Sequence, residues 1–112
     1  FFITIKNVRL NLPETQSAIS QFNNQNHKLD SLKITNLLLN KEVQLLKVEG
    51  FENKSIAMAY YQLIQEHITT KSIFQNNGVL PMVITKNNLN TLLRDKNINL
   101  YQSYFNEIYL LN

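Results

Sequence analysis

Two histidines and a few carboxylates are the side chains of this sequence that could carry metal or acid–base chemistry. His27 follows an asparagine-rich run, and His67 lies near the end of an amphipathic run. A zinc site needs about four ligands and the sequence has no cysteine, so we expect surface or helix-capping histidines. Glu49 and Glu52 flank a Gly-Phe pair and are a candidate acid–base pair. A solvated turn explains the same spacing.

The sequence lacks the motifs that position a nucleophile or a phosphate group. It contains no Gly-x-Ser-x-Gly elbow. Its two glycines, Gly50 and Gly78, lie too far apart for a phosphate-binding loop, which needs several glycines close together. We therefore predict a protein that is not an enzyme and that uses no cofactor or metal.

The elements around these residues belong to one small domain. The 112 residues are enough for a single core, and 44% of them are hydrophobic against 17% charged, as is typical of folded chains. The net charge of +3 comes from lysines spread along the chain rather than from a basic block, which argues against nucleic-acid binding. The absence of cysteine leaves the redox compartment open.

We find neither a signal peptide nor an apolar run of about 18 residues, so we expect no membrane insertion by this segment. The sequence begins with Phe1, inside a predicted strand, rather than with methionine. This start suggests a piece of a longer protein whose targeting signal, if there is one, lies upstream.

The central stretch is a predicted strand, turn and helix. Residues 43–48 are apolar and β-branched, Gly50 allows a tight turn, and Asn53 can cap a helix. Helical spacing relates the apolar side chains that follow, which are Ile56, Ala59, Tyr60, Leu63 and Ile64. We expect this helix to end near His67, with Thr69 and Thr70 fraying its end.

The remaining elements complete a βαββαβ order. A strand at 1–6, a helix from Pro13 to the polar run 23–26 and a strand at 32–39 precede the central stretch, and a strand at 80–85 follows it, with Pro81 best placed near an edge. The turn at 40–42 predicts an antiparallel hairpin.

This order predicts an α+β, ferredoxin-like sandwich, with a four-stranded antiparallel sheet and two helices on one face. We assign 1–86 to the βαββαβ core and 87–112 to a C-terminal helical extension of the same domain. Asn87 or Asn88 is expected to cap the first helical turn of the extension. Its second helical run carries the apolar residues Leu100, Tyr101, Tyr104, Phe105, Ile108 and Tyr109.

The strands do not alternate apolar and polar residues, as a sheet with one wet face would. We expect both faces to be at least partly covered, by the C-terminal helix across the open face, by an upstream domain or by a partner protein. The third strand also lacks the basic and aromatic pattern of RNA-binding modules, which again argues against nucleic acid.

The segment 46–60 joins a strand end, a glycine, an aromatic, a polar pair and an alanine-containing helix. It resembles the second half of a SPOR-type βαββαβ domain. In that family the domain binds peptidoglycan glycan strands that have been stripped of their peptides, so the resemblance implies glycan binding. The first half departs from that pattern, because residues 6–9 stand where the family has a Gly-Ser-Phe turn.

A second resemblance covers nearly the whole chain, through segments 28–34, 50–54, 83–89, 95–96 and 101–105. These resemble the C-terminal domain of tetratricopeptide-repeat lipoproteins of Bacteroidetes, which belong to the gliding-motility and type IX secretion machinery at the outer membrane. The resemblance implies a periplasmic, non-enzymatic domain whose partners are protein subunits of an envelope complex. It implies association with the outer membrane through the upstream part of the full-length chain.

Three functions remain open at this point. The first is protein docking through the sheet face or the C-terminal helix, and the second is SPOR-like binding of peptidoglycan on the sheet. The third is a regulatory domain for a small ligand. If the sheet face is exposed, the residues expected to form the partner or glycan surface are Thr4, Lys6, Asn36 and Lys47.

Overall fold

The computed structural model of the chain describes residues 1–8, 12–26, 32–41, 43–77 and 79–110. These form an α+β domain with one four-stranded antiparallel sheet, five α-helices and a final π-helical turn. The elements are β1 (Phe2–Val8), α1 (Leu12–Asn26), β2 (Lys33–Leu38), β3 (Val43–Glu49), α2 (Lys54–Glu66), α3 (Ile68–Asn77), β4 (Leu80–Ile84), α4 (Lys86–Asp95), α5 (Ile98–Phe105) and the π-turn (Asn106–Leu110). His27, the end of the predicted 40–42 turn and Gly78 lie outside the described residues.

The strands lie side by side in the order β2-β3-β1-β4, and each neighbouring pair is antiparallel. This order is compatible with a ferredoxin-like fold. The predicted β2–β3 hairpin is confirmed. At its turn, the Asn40 side-chain oxygen accepts a hydrogen bond from the Val43 amide at 2.9 Å, and the Leu39 amide donates to the Val43 carbonyl at 3.1 Å.

The predicted strand, turn and helix after β3 are also confirmed. Gly50 has a φ of 125°, which a residue with a Cβ rarely adopts, so glycine is needed at this turn. The Asn53 side chain accepts a hydrogen bond from the Ile56 amide at 2.9 Å and caps α2.

The buried side of α2 includes only part of the apolar set that the sequence places at helical spacing. Ala57, Tyr60, Tyr61 and Ile64 are buried, whereas Ile56, Ala59 and Leu63 are exposed. The sequence has apolar residues around much of the helix, so spacing alone did not select the side that packs. Tyr60 contacts the α1 residues Phe22 and Asn23, which fixes the rotation of α2.

The prediction that Thr69 and Thr70 fray the end of α2 is wrong. The chain becomes extended at His67 and starts a second helix, α3, at Ile68. The buried Thr70 hydroxyl donates to the Ile64 carbonyl at 2.5 Å, so it satisfies an acceptor that the end of α2 leaves unpaired. A side-chain hydrogen bond therefore holds the α2–α3 junction.

The cap of α4 also differs from the predicted Asn87 or Asn88. The Thr85 hydroxyl accepts from the Asn88 amide at 3.1 Å, so Thr85 is the N-cap. Helix α4 ends at Lys96, whose φ of 59° is left-handed, and Asn97 caps α5 through a 3.0 Å bond from the Leu100 amide. The second helical run of the extension is confirmed as α5 and the π-turn.

Buried side chains lie on both faces of the sheet, as the poorly alternating strands predict. Ile3 and Ile5 are buried on one face of β1, and Thr4, between them, is buried on the other. Met82 shares the Thr4 face and is also buried. Both faces are therefore at least partly covered. That the C-terminal helices lie across the second face stays a prediction, as does the boundary between 1–86 and 87–112.

Candidate functional site

The titratable side chains are scattered in the described part of the chain. No group of three or more His, Cys, Asp or Glu side chains that could hold a metal forms there. His67 packs its ring edge-on against Phe22, with ring centroids 5.3 Å apart, and its Nδ1 is buried without a hydrogen-bond partner among the described residues. Glu49 is the last residue of β3 and pairs with Lys47 at 3.6 Å, while Glu52 is exposed. The two carboxylates therefore lie in different environments, one in an ion pair and one exposed to solvent.

The sheet register divides the four residues that the sequence suggested as a partner surface. Thr4 lies opposite Lys47, and Lys6 follows two residues later on β1, so these three share a face. Asn36 lies opposite Leu46 and is therefore on the other face. Thr4 is fully buried and cannot contact a ligand directly, whereas Asn36 is exposed.

A polar band crosses the Thr4 face on β2 and β3. Lys33 lies opposite Glu49, and Thr35 lies opposite Lys47. The Lys47 ammonium also lies over the Phe2 ring, 4.9 Å from its centroid. Lys33 is exposed and the other three polar residues are half-buried, as is Lys6 on β1, so the band and Lys6 are accessible polar groups of that face.

A concave, mostly apolar surface lies between α4 and α5. It encloses about 330 Å³ and is lined by Asn88, Thr91, Leu92, Asp95, Asn97, Leu100, Tyr101 and Tyr104. The two capped helices are joined at the left-handed Lys96, and side chains of both helices line this surface. We call this surface the α4–α5 groove.

A line of exposed apolar side chains runs along the α4–α5 groove and beyond it. Leu100, Tyr104 and Ile108 are 66%, 41% and 38% exposed. They recur every four residues, so they lie on one side of a continuous helical segment. We call these three residues the apolar stripe. The stripe is an exposed apolar part of the C-terminal extension.

Buried aromatic side chains hold the stripe in place. The Tyr101 hydroxyl donates to the Val83 carbonyl at 2.5 Å, and the Phe105 ring packs on Tyr61 with centroids 5.2 Å apart. Burial raises the pKa of the Tyr101 hydroxyl, and the nearby Tyr109 and Tyr104 add to the increase. The hydroxyl therefore keeps its proton and its hydrogen bond to the sheet.

The sequence identified the aromatic C-terminal helix but not the groove beside it. The signal was present, because Leu100, Tyr104 and Ile108 and the buried pair Tyr101 and Phe105 form two separate helical lines. Spacing alone does not show which of two lines faces the core. Of the polar band, the sequence identified Lys47 but selected Asn36 instead of Thr35, since Thr35 and Asn36 exchange faces when the register shifts by one residue.

Comparisons with family models, with curated proteins and with solved structures give no match. Among the described helices, none has the length and apolar character needed to cross a membrane.

Proposed function

We propose that this domain is a non-enzymatic docking module that binds a protein subunit of a cell-envelope complex through the apolar stripe and the α4–α5 groove. The observation that carries the proposal is the exposure of the stripe on a helix whose other side is anchored in the core. When a partner covers apolar side chains that were exposed to water on a rigid support, the burial stabilises the complex. A fully covered side chain of this size contributes about 1.5–3 kcal/mol.

The shape of the surface favours a helical partner segment. Helix-in-groove recognition uses apolar anchors at helical spacing, and the α4–α5 groove offers a matching apolar floor between two helices. The groove has one carboxylate at its rim, that of Asp95, which contacts the exposed Arg94 side chain at 3.1 Å. Exposed ion pairs of this kind contribute about 0–1 kcal/mol, so a lysine or arginine of the partner can compete for Asp95.

The proposal assigns this module to the type IX secretion and gliding-motility machinery, in the periplasm and tethered to the outer membrane by an upstream segment. Its support is the resemblance of the sequence to Bacteroidetes tetratricopeptide-repeat lipoproteins. We also propose that the domain has the ferredoxin-like fold that SPOR domains share. Its support is the strand order β2-β3-β1-β4 with helices between β1 and β2 and between β3 and β4.

Site-specific photo-crosslinking tests the proposal. A photoreactive residue at Leu100, in the protein expressed in its cell envelope, is expected to crosslink to one envelope subunit. The same residue at Ile68, which is 82% exposed on α3, is the matched control and is expected to give no such product.

Binding of the purified subunit supplies the second measurement. Leu100→Asp is expected to weaken binding at least about tenfold, because it removes an apolar anchor and places a charge in the interface. Ile68→Asp is expected to leave binding unchanged. Equal crosslinking at both positions, or equal binding by both variants, would contradict docking at the apolar stripe.

A second candidate is SPOR-like glycan binding, which the polar band on the Thr4 face favours. Sugar hydroxyls accept and donate hydrogen bonds, and the side chains of Thr35, Lys47 and Glu49 supply both kinds of group. A pull-down on peptidoglycan sacculi separates this function from docking. Retention that depends on amidase treatment and is lost in Thr35→Ala supports glycan binding, and absence of retention leaves docking as the function.

A further inference from the structure

The two edges of the sheet differ in which backbone groups they leave unpaired, and Pro81 shows which groups those are. Pro81 lies in the outer strand β4, opposite Ile5 of β1. Proline has no N–H to give to a ladder, and in an edge strand its nitrogen faces away from the sheet. Alternate residues of a strand point their backbone groups to the same side, so the carbonyl of Val83, two residues after Pro81, also faces outward. The bond from Tyr101 to the Val83 carbonyl agrees with this parity.

The parity carries across the sheet, because residues alternate between hydrogen-bonded and non-hydrogen-bonded pairs in antiparallel ladders. Ile5 does not exchange bonds with Pro81, so its backbone groups point to Leu46 on β3. Leu46 is then bonded to β1 and not to Asn36, its partner on β2. The N–H and C=O of Asn36 consequently point out of the sheet.

The β2–β3 hairpin gives the same answer independently. The Leu39 amide donates to the Val43 carbonyl, so Leu39 is a bonded position. Alternate residues of β2 share its state, which assigns Thr35 and Leu37 to the ladder with β3. The outward groups therefore belong to Ile34, Asn36 and Leu38. No hydrogen bond joins these outward groups to any residue that the structure describes.

Within Lys33–Leu38, strand β2 has no proline and no bulge, and it has a single charge; proline, bulges and several charges are devices that usually protect an edge. Its pairing with β3 is regular over six residues. Leu38 is 69% exposed, and Lys33 is the one charged residue in the strand. The edge therefore presents the backbone groups of three alternate residues, which can pair with an extended chain.

We propose that β2 is a second binding site, at which an extended acidic segment of a partner protein adds as a fifth, antiparallel strand. Charge selects this occupant over a second copy of the chain. Lys33 lies at one end of β2 and Lys41 follows its other end. If two copies paired about Asn36, Lys33 of one would lie opposite Leu39 of the other, two residues from its Lys41. An acidic segment instead places a carboxylate near Lys33, which has no ion pair with a described residue.

This site goes beyond the docking function proposed above and is separate from it. Two strands, β3 and β1, lie between β2 and β4, whose carbonyl at Val83 is bound by Tyr101 of α5. At about 4.8 Å for each strand spacing, the two outer strands are roughly 14 Å apart. Loss of binding at one surface therefore leaves the other surface intact.

The test is an NMR titration of the ¹⁵N-labelled protein with a blocked hexapeptide of alternating valine and threonine that ends in glutamate. We expect the amide signals of Ile34, Asn36 and Leu38 to shift and those of β4 to stay in place. The same peptide ending in lysine is expected to bind about two- to fivefold more weakly, the effect of one exposed charge pair. A peptide that is N-methylated at alternate residues is expected not to bind, because it lacks the donors for the new ladder.

Two variants separate backbone pairing from side-chain contact. Asn36→Pro removes an outward N–H and is expected to abolish the shifts, whereas Asn36→Ala keeps that N–H and is expected to bind as the native chain does. Shifts confined to Leu100 and its neighbours would overturn the proposal, as would binding of the N-methylated peptide. Shifts of the β2 amides that depend on protein concentration alone would identify a second copy as the occupant and overturn the acidic partner.

Discussion

The two outer strands of the sheet end it in different ways. At β4, Pro81 has no N–H to offer, and the Tyr101 hydroxyl of α5 binds the Val83 carbonyl. At β2, the outward backbone groups of Ile34, Asn36 and Leu38 have no hydrogen-bond partner among the described residues. The chain itself therefore closes the β4 edge, whereas no described residue closes the β2 edge.

This difference shows how the C-terminal extension serves the domain. By binding the β4 edge, α5 removes one site at which strands of other molecules could add. The same contact fixes α5 so that Leu100 and its stripe face outward. The extension thus closes one edge of the sheet and presents the apolar stripe, while the outward backbone groups of β2 have no partner in the described part of the chain.

Tyr101→Ala is expected to cause the largest loss of stability. Removing a large buried side chain costs about 3–5 kcal/mol, and here the Val83 carbonyl also loses its donor. The free energy of unfolding in urea measures the loss. Leu38→Ala, at the exposed end of β2, is the control and is expected to change that free energy by less than about 0.5 kcal/mol. Similar losses in the two variants would show that α5 does not close the β4 edge.

The next largest expected effect is the difference in the free energy of unfolding between two proline substitutions in β2. Thr35→Pro removes an N–H from the ladder with β3 and leaves a backbone carbonyl without its donor, at a cost of about 1–3 kcal/mol. Asn36→Pro removes an outward N–H, so the ladder keeps its bonds. Urea unfolding of both variants measures the difference. If Asn36→Pro is the more destabilised variant, the outward assignment is reversed.

Local signals in the sequence were enough to predict the strands, the hairpin and the cap of α2. A cap such as Asn53 or a turn such as that at Gly50 depends on neighbours within a few residues. The face on which Asn36 lies depends instead on the register with β3, because a shift of one residue moves every side chain of β2 to the other face. Sequence periodicity does not fix that register.

The break at His67 and the α4–α5 groove were out of reach for a related reason. The break depends on the Thr70 hydroxyl meeting the Ile64 carbonyl, and nothing in the local sequence distinguishes this bond from a frayed helix end. The groove depends on how two helices pack on the rest of the chain. Tyr101 becomes an anchor and Leu100 an exposed residue only once the sheet edge and α2 are in place.

High pH is expected to lower the free energy of unfolding. Burial raises the pKa of Tyr101 and of Tyr60, whose hydroxyl donates to Asn23 at 2.7 Å. In the unfolded chain both tyrosines lose their protons near the ordinary pKa of about 10, while the folded chain keeps them. Stability is therefore complete below pH 10 and falls as the pH rises above it, by about 1.4 kcal/mol per pH unit for each such tyrosine.

Urea unfolding at pH 9, 10 and 11 measures this slope. Tyr101→Phe cannot ionise, so it is expected to reduce the slope by the share of one tyrosine, and Tyr60→Phe is expected to do the same. Asn36→Ala is the matched control at the open edge, because β2 contains no tyrosine, and it is expected to keep the native slope. A native slope in Tyr101→Phe would mean that its hydroxyl is not held in its neutral form by the contact with β4, and the closed edge would then rest on packing alone.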